Sequence, residues 1–310
     1  MDFLTSYHAP VLAEEIRSFI IKNKSGLYFD GTLGFGGHAK LLLQDLNADA
    51  IYAATDVDDQ AFKYSLEQFR DESRVRMYKY NFTKIDSVAK IESLSGFDGI
   101  IADLGVSSFQ LDEPTAGFSY RFDAPLDMRM EKSLQRTAAD ILNDSTEEEL
   151  ADIFFTYGEE RASRKISRLI VEKRLKGKLK TAEDLMEILR QVAPVPYVNK
   201  TATRVFQALR IVVNSELDNL KIFLEKAVDL LLPGGRIAVI SFHSLEDRIV
   251  KEAFRYEEKS CICPPGLPIC ICGKEQRLKI ITRKPVTASE AELKLNRRAR
   301  SAKLRVAERV

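Results

Sequence analysis

Asp30-Gly31-Thr32-Leu33-Gly34-Phe35-Gly36-Gly37-His38-Ala39-Lys40 follows the apolar run Leu27-Tyr28-Phe29 and leads into Leu41-Leu42-Leu43. A glycine-dense turn joining a strand to a helix lies at the carboxyl end of that strand, where open α/β sheets take their ligands. Gly34 to Ala39 fits G-x-G-x-x-A, and Asp56, 20 residues beyond Gly36, is spaced for the hydroxyls of a ribose. This fingerprint serves nicotinamide dinucleotides and S-adenosyl-L-methionine alike. Asp30 and Asp103 each end a predicted strand, and two carboxylates around a pocket repel a pyrophosphate while attracting a sulfonium with a free ammonium. A turn or capping role for Asp103 in Asp103-Leu104-Gly105 stays open beside that reading.

Working outward, residues 27–30, 50–56, 75–80 and 97–103 read as strands, and 39–46, 59–69 and 84–94 as helices between them. Alternation at this short period predicts an α/β fold, a Rossmann-like, doubly wound parallel sheet with right-handed crossovers. The pattern stops near Asp112: up to about residue 201 the chain is charged and helix-prone, as in Thr146-Glu147-Glu148-Glu149-Leu150. Strands return at 236–242, after the helix stop Pro233-Gly234-Gly235, and at 278–283. The expected organisation is a discontinuous sheet domain, 1–112 with 202–310, carrying an inserted helical substrate-recognition domain at 113–201.

A chain of 310 residues with 45% hydrophobic content buries a large core, and its net charge is only +1. That balance is uneven. Arg161 to Lys180 holds nine Lys/Arg against one acid, and Lys274 to Arg309 twelve against four. Two such runs suggest a polyanionic partner; a solvated helix face is the plainer alternative for either one. The opening Met1-Asp2-Phe3-Leu4-Thr5 lacks a basic segment followed by an apolar one, and no run of about 18 apolar residues occurs, so a cytoplasmic location with no membrane contact is expected.

Longer motifs add specificity. Tyr7-His8-Ala9-Pro10-Val11-Leu12, Asp30 to His38, Asp103-Leu104-Gly105-Val106-Ser107-Ser108-Phe109-Gln110-Leu111-Asp112, Pro125-Leu126-Asp127-Met128-Arg129-Met130, Tyr157-Gly158-Glu159-Glu160-Arg161 and Ser241-Phe242-His243-Ser244-Leu245-Glu246-Asp247-Arg248 closely resemble the MraW/RsmH family. The resemblance spans nearly the whole chain. It implies a class I methyltransferase fold and S-adenosyl-L-methionine-dependent methylation of N4 of a cytidine in the decoding centre, the P-site region, of 16S ribosomal RNA, within the small ribosomal subunit. The donor site it implies comprises Gly36, Gly37, His38, Asp56, Phe82, Asp103 and Gln110. Candidate catalytic residues are Asp103, Ser107, Ser108 and His243, the last also readable as a histidine satisfied at a strand end. Many amino-methyltransferases end the fourth strand with an acid or amide, two prolines and an aromatic; Asp103-Leu104-Gly105-Val106 departs from that, leaving the contact at the amine unassigned. Arg204, Gln207 and Arg210 share the polar side of a helix and are candidates for phosphate contacts or internal hydrogen bonds. A homodimer is compatible with the sequence and not specified by it.

All four cysteines fall within Cys261-Ile262-Cys263-Pro264-Pro265-Gly266-Leu267-Pro268-Ile269-Cys270-Ile271-Cys272. In a chain expected in the cytoplasm, such clustering favours thiolate metal binding over disulfides. Two C-x-C pairs are not the common C-x-x-C knuckle, so structural zinc and a reduced, packed loop stand side by side.

Overall fold

The computed structural model describes residues 10–264 and 269–310. The chain forms two compact units: one comprises the chain up to Gly105 together with Leu217–Val310, the other is Val106–Glu216.

In the first unit the elements run α1 (Ala13–Ile20), β1 (Leu27–Asp30), α2 (Gly37–Leu42), β2 (Ile51–Thr55), α3 (Asp59–Gln68), β3 (Val75–Tyr78), α4 (Ile85–Ile91) and β4 (Phe97–Asp103). The second unit holds α5 (Ser108–Asp112), α6 (Ala138–Asp144), α7 (Glu147–Thr156), α8 (Ser163–Arg174), α9 (Ala182–Val192) and α10 (Val198–Asn214). Helix α11 (Glu216–Leu230) leads back to β5 (Leu231–Ser241), α12 (Ser244–Glu258), β6 (Leu278–Ile280), α13 (Glu290–Leu295) and β7 (Lys303–Arg309). Among the described residues no helix is long and apolar enough to cross a membrane.

The sheet order is β3-β2-β1-β4-β5-β7-β6, parallel through β5, with β7 antiparallel to both β5 and β6. It is the Rossmann-like, doubly wound sheet the alternation predicts. Side chains alternate across it: Tyr28, Tyr52, Ala54, Ile101, Ala238, Ile240 and Leu304 enter one core, Phe29, Ala53, Ile100, Ala102, Ile237 and Val239 the other. Chain order reverses between β1 and β4, so their carboxyl ends flank a crevice.

Three differences from the sequence reading have physical causes. Strand β5 starts at Leu231, not 236, because Leu231 pairs with Phe97 before Pro233-Gly234-Gly235 bulges out, Gly234 taking φ +79°. Strand β7 lies in what reads as a basic tail; Leu304 and Val306 alternate into one core, and a charged residue between them conceals the pattern. The inserted unit is larger than 113–201, since Val106, Leu111 and the apolar face of α10 from Val198 to Val213 pack in its core with Ile141, Leu150, Ile166 and Leu185. Within it Thr137/Asp140, Thr146/Glu149 and Thr181/Asp184 close capping boxes at the starts of α6, α7 and α9, each worth about 1 kcal/mol.

Candidate functional site

The turn after β1 is held by its backbone. Gly31 N–H donates to Ile101 O on β4 at 2.9 Å and Leu33 N–H to Thr55 O on β2 at 3.0 Å, suspending the turn between the two neighbouring strands. Ser65 on α3 donates its hydroxyl to Gly34 O at 2.8 Å. Gly36 takes φ +75°, and a Cβ there would lie 2.5 Å from Phe69 Cε2, so both conformation and space require glycine. Gly37 and His38 open α2 directly behind it.

Asp56, just past β2, accepts from Gly34 N–H at 2.6 Å and Asp58 N–H at 2.8 Å. Burial pushes its carboxyl up to about 6 in spite of those two donors. Asp30 corrects the sequence reading. It is 2% exposed, and its oxygens accept from Thr32 N–H at 3.0 Å and Tyr52 Oη–H at 2.9 Å, so it is an internally satisfied acid rather than a free carboxylate of the pocket. Sequence reasoning missed Tyr52 because a lone tyrosine in an apolar strand carries no signal for its partner.

Asp103 and His38 differ from Asp30. Asp103 N–H donates to Thr32 Oγ1 at 2.6 Å, fixing the end of β4 against the turn. His38 Nε2 stands 3.6 Å from Asp103 Oδ2, within ion-pair range but beyond hydrogen-bond reach. His38 Nδ1 and Nε2 and Asp103 Oδ1 are all buried with no hydrogen-bond partner among the described residues. Burial opposes charge on this imidazole, yet Asp103 and Asp30 more than offset it, and the net direction for His38 is upward. An unpaired buried polar atom costs about 1–3 kcal/mol, so their convergence at a sheet's switch point makes this the candidate ligand site. Phe82 lies in a 3-10 turn after β3; its Cβ backs onto Gly31, and its ring meets Phe223 edge-on at 5.1 Å, which makes it both a neighbour of the turn and a core aromatic.

The other candidates are engaged locally. Ser107 Oγ accepts from Gln110 N–H at 3.1 Å while Gln110 Oε1 accepts from Ser107 N–H at 2.9 Å, a capping box that starts α5. The Ser108 side chain lies outside the described residues, as do Tyr7, His8 and Ala9 of the first motif. His243 caps α12: its Nδ1 accepts from Glu246 N–H at 3.5 Å, and Glu246 Oε2 accepts from Phe242 and His243 N–H at 2.8 and 3.3 Å. Its Nδ1 is thus used by the cap, with no backbone carbonyl satisfying the ring, while Nε2 is buried without a hydrogen-bond partner among the described residues, 3.2 Å from Glu246 Oε1.

The family model described as the MraW methylase family matches residues 5–310. The chain belongs to the MraW methylase family. Relatives named ribosomal RNA small subunit methyltransferase H agree with it from end to end. The protein of Caldicellulosiruptor saccharolyticus is 45% identical over 304 residues, 98% of this chain and 99% of its own. That of Clostridium botulinum strain Loch Maree is 47% identical over 305 residues, again 98% and 99%. The chain is thus a methyltransferase on a Rossmann-like sheet, with the glycine turn, Asp56, His38 and Asp103 around the carboxyl ends of β1, β2 and β4.

In this MraW-family chain the two basic runs fare differently. On α8, Ile166 and Ile170 face the core while Arg164 and Lys165 are exposed, as are Arg161, Lys176, Lys178 and Lys180 around the helix. Part of the C-terminal run is drawn into ion pairs. Arg305, buried on β7, donates to Asp247 at 2.6 Å, Lys303 reaches the same acid at 3.3 Å, and Arg277 and Lys274 share Glu257. Arg283 pairs with Glu258 at 2.8 Å. Lys279, Arg283, Lys284, Lys294, Arg297, Arg298 and Arg300 are exposed. Arg204 pairs with Glu160 at 3.4 Å, Gln207 donates to Tyr157 O at 3.0 Å and Arg210 pairs with Glu216 at 2.9 Å, so all three serve the second unit's own structure.

The four cysteines are free thiols whose sulfurs converge to within 4.8 Å of one another. Backbone N–H donors from Ile262 and Lys274 hold the Cys272 thiol down to about 6. Pro265, Gly266, Leu267 and Pro268, between the two pairs, lie outside the described residues.

Proposed function

We propose that this protein transfers a methyl group from S-adenosyl-L-methionine to N4 of a cytidine in the decoding centre of 16S ribosomal RNA, with the RNA presented in the small ribosomal subunit. Family membership and relatives named for small-subunit ribosomal RNA support the substrate class. The observation that carries the site is the set of buried, unpaired atoms on His38 and Asp103 beside the glycine turn. They fit the donor: a carboxylate oxygen for a cationic group and a half-buried acid, Asp56, for ribose hydroxyls.

S-adenosyl-L-methionine supplies a methyl group made electrophilic by its sulfonium. A cytosine N4 lone pair is delocalised into the ring, so the protein's part is to hold the amine's N–H bonds and let the nitrogen pyramidalise. Asp103 Oδ2 leans toward His38, which leaves Oδ1 as the acceptor for an N–H. No separate strong base is required, because the proton becomes acidic once nitrogen has gained the methyl. Exposed cations on and around α8 hold the RNA backbone, and withdrawing the base from its stack costs a few kcal/mol.

The test is labelled methyl transfer from S-adenosyl-L-methionine to small-subunit RNA, with transfer RNA as control. Asp103→Ala should lower kcat by at least about a hundredfold, the scale of losing one oriented hydrogen-bonding group at a reaction centre. An unchanged Kd for S-adenosylhomocysteine assigns Asp103 to the amine, and a raised Kd assigns it to the donor. Full activity in that variant would overturn the site.

A further inference from the structure

The chain between α12 and β6 has little hydrophobic support. Ile262, Ile269 and Ile271 are 44%, 75% and 79% exposed, so burial does not hold this loop together. Its base is tied by Lys274 and Arg277 to Glu257. Its tip is organised around sulfur. Cys261 and Cys270 Sγ lie 3.5 Å apart, Cys270 and Cys272 3.5 Å, Cys263 and Cys270 3.8 Å, and Cys261 and Cys272 3.8 Å.

Those separations exclude disulfides, whose sulfurs bond at about 2.05 Å. Four thiolates each about 2.3 Å from one tetrahedral ion have sulfurs about 3.8 Å apart, which the observed edges approach. The two arms also support each other's sulfurs: Ile262 N–H donates to Cys272 Sγ and Ile271 N–H to Cys263 Sγ, both at 3.4 Å, while Cys263 N–H donates to Cys261 Sγ at 3.4 Å. Backbone donors aimed at ligand sulfurs orient them as the outer shell of a metal centre does. An all-sulfur donor set selects a soft or borderline divalent ion over magnesium or calcium.

We propose that Cys261, Cys263, Cys270 and Cys272 form a structural tetrathiolate zinc site that closes the loop between α12 and β6. Four protein ligands leave no open coordination position, so the ion serves folding rather than catalysis. The site stands independently of the methyl-transfer reading. Its physical role is to replace the missing core and fix the entry to edge strand β6.

Full-length protein purified under reducing conditions should carry about one zinc per chain by elemental mass spectrometry. After chelation, added cobalt(II) should give the thiolate charge-transfer and intense visible bands of tetrahedral cobalt. The double variant Cys261→Ser/Cys270→Ser should lose zinc at least tenfold while its circular dichroism and donor-induced melting shift persist. If that variant does not fold, the zinc content and cobalt spectrum of the unaltered chain decide. Metal-free protein with four reactive thiols and no cobalt bands, disulfides in the reduced preparation, or zinc retained by a folded double variant would each overturn the site.

Discussion

Two basic runs of the same excess charge are used differently in this molecule. On and around α8, seven of the cations from Arg161 to Lys180 are exposed. Along the C-terminal run the chain turns into a strand, and Arg305, Lys303, Arg277, Lys274 and Arg283 are drawn into pairs with Asp247, Glu257 and Glu258. Excess charge along the sequence therefore measures available charge only where the backbone leaves it exposed. Seven of the first run's nine cations are exposed, whereas five of the second's twelve are held in ion pairs within the fold.

The largest effect that separates them is on stability. Arg305→Ala leaves Asp247 partly buried with only Lys303 beside it, and should cost about 3 kcal/mol in denaturant unfolding, with no change in the salt dependence of RNA binding. Burial works against the Asp247 anion, but Arg305 and Lys303 hold its carboxyl below the ordinary range. A depressed acid contributes stability above its unfolded value of about 4 and loses it as pH falls through the folded value, so the variant should also flatten the acid limb of the stability curve. Next, reversing Arg164, Lys165, Lys176 and Lys178 to Glu should leave unfolding nearly unchanged and flatten the log-log salt slope of RNA binding by up to about 3, at roughly 0.7 per phosphate contact. A stability loss without a slope change would place these residues with the C-terminal set.

The smallest effect lies at the donor turn, where charge is tuned rather than paired. With Asp56 at about 6, the stability that this raised group contributes to the unliganded fold is fully present below about 4 and lost as pH rises through 6. Under the proposed function donor binding runs the other way, the anion being the acceptor for ribose hydroxyls. Affinity for S-adenosyl-L-methionine should fall about tenfold per pH unit below 6 in titration calorimetry, and Asp56→Asn should remove that dependence. NAD should not bind at any pH.

Much of this was legible in the sequence because the strands of the first unit are apolar runs ending in acids, and the glycine turn needs no partner to be read. What each acid does was not legible. Asp30 and Asp103 end their strands alike, but Asp30 meets Tyr52 and Asp103 meets His38, and those pairings exist only once β1, β2 and β4 lie side by side. Strand β7 hid behind Arg305, an inward-facing charge made tolerable by an acid on α12. That His243 and Ser107 cap helices, with partners three residues on, was likewise not read from the strands they follow. The cysteine cluster was visible as a cluster, but its convergence on one point required the loop's backbone.

The most direct test of the account is nucleoside mass analysis of small-subunit RNA after incubation with the protein and labelled S-adenosyl-L-methionine. The account predicts N4-methylcytidine at one decoding-centre position, lost in Asp103→Ala and restored by the unaltered chain. Label on C5, on a ribose 2′-oxygen, on transfer RNA or on protein would contradict it.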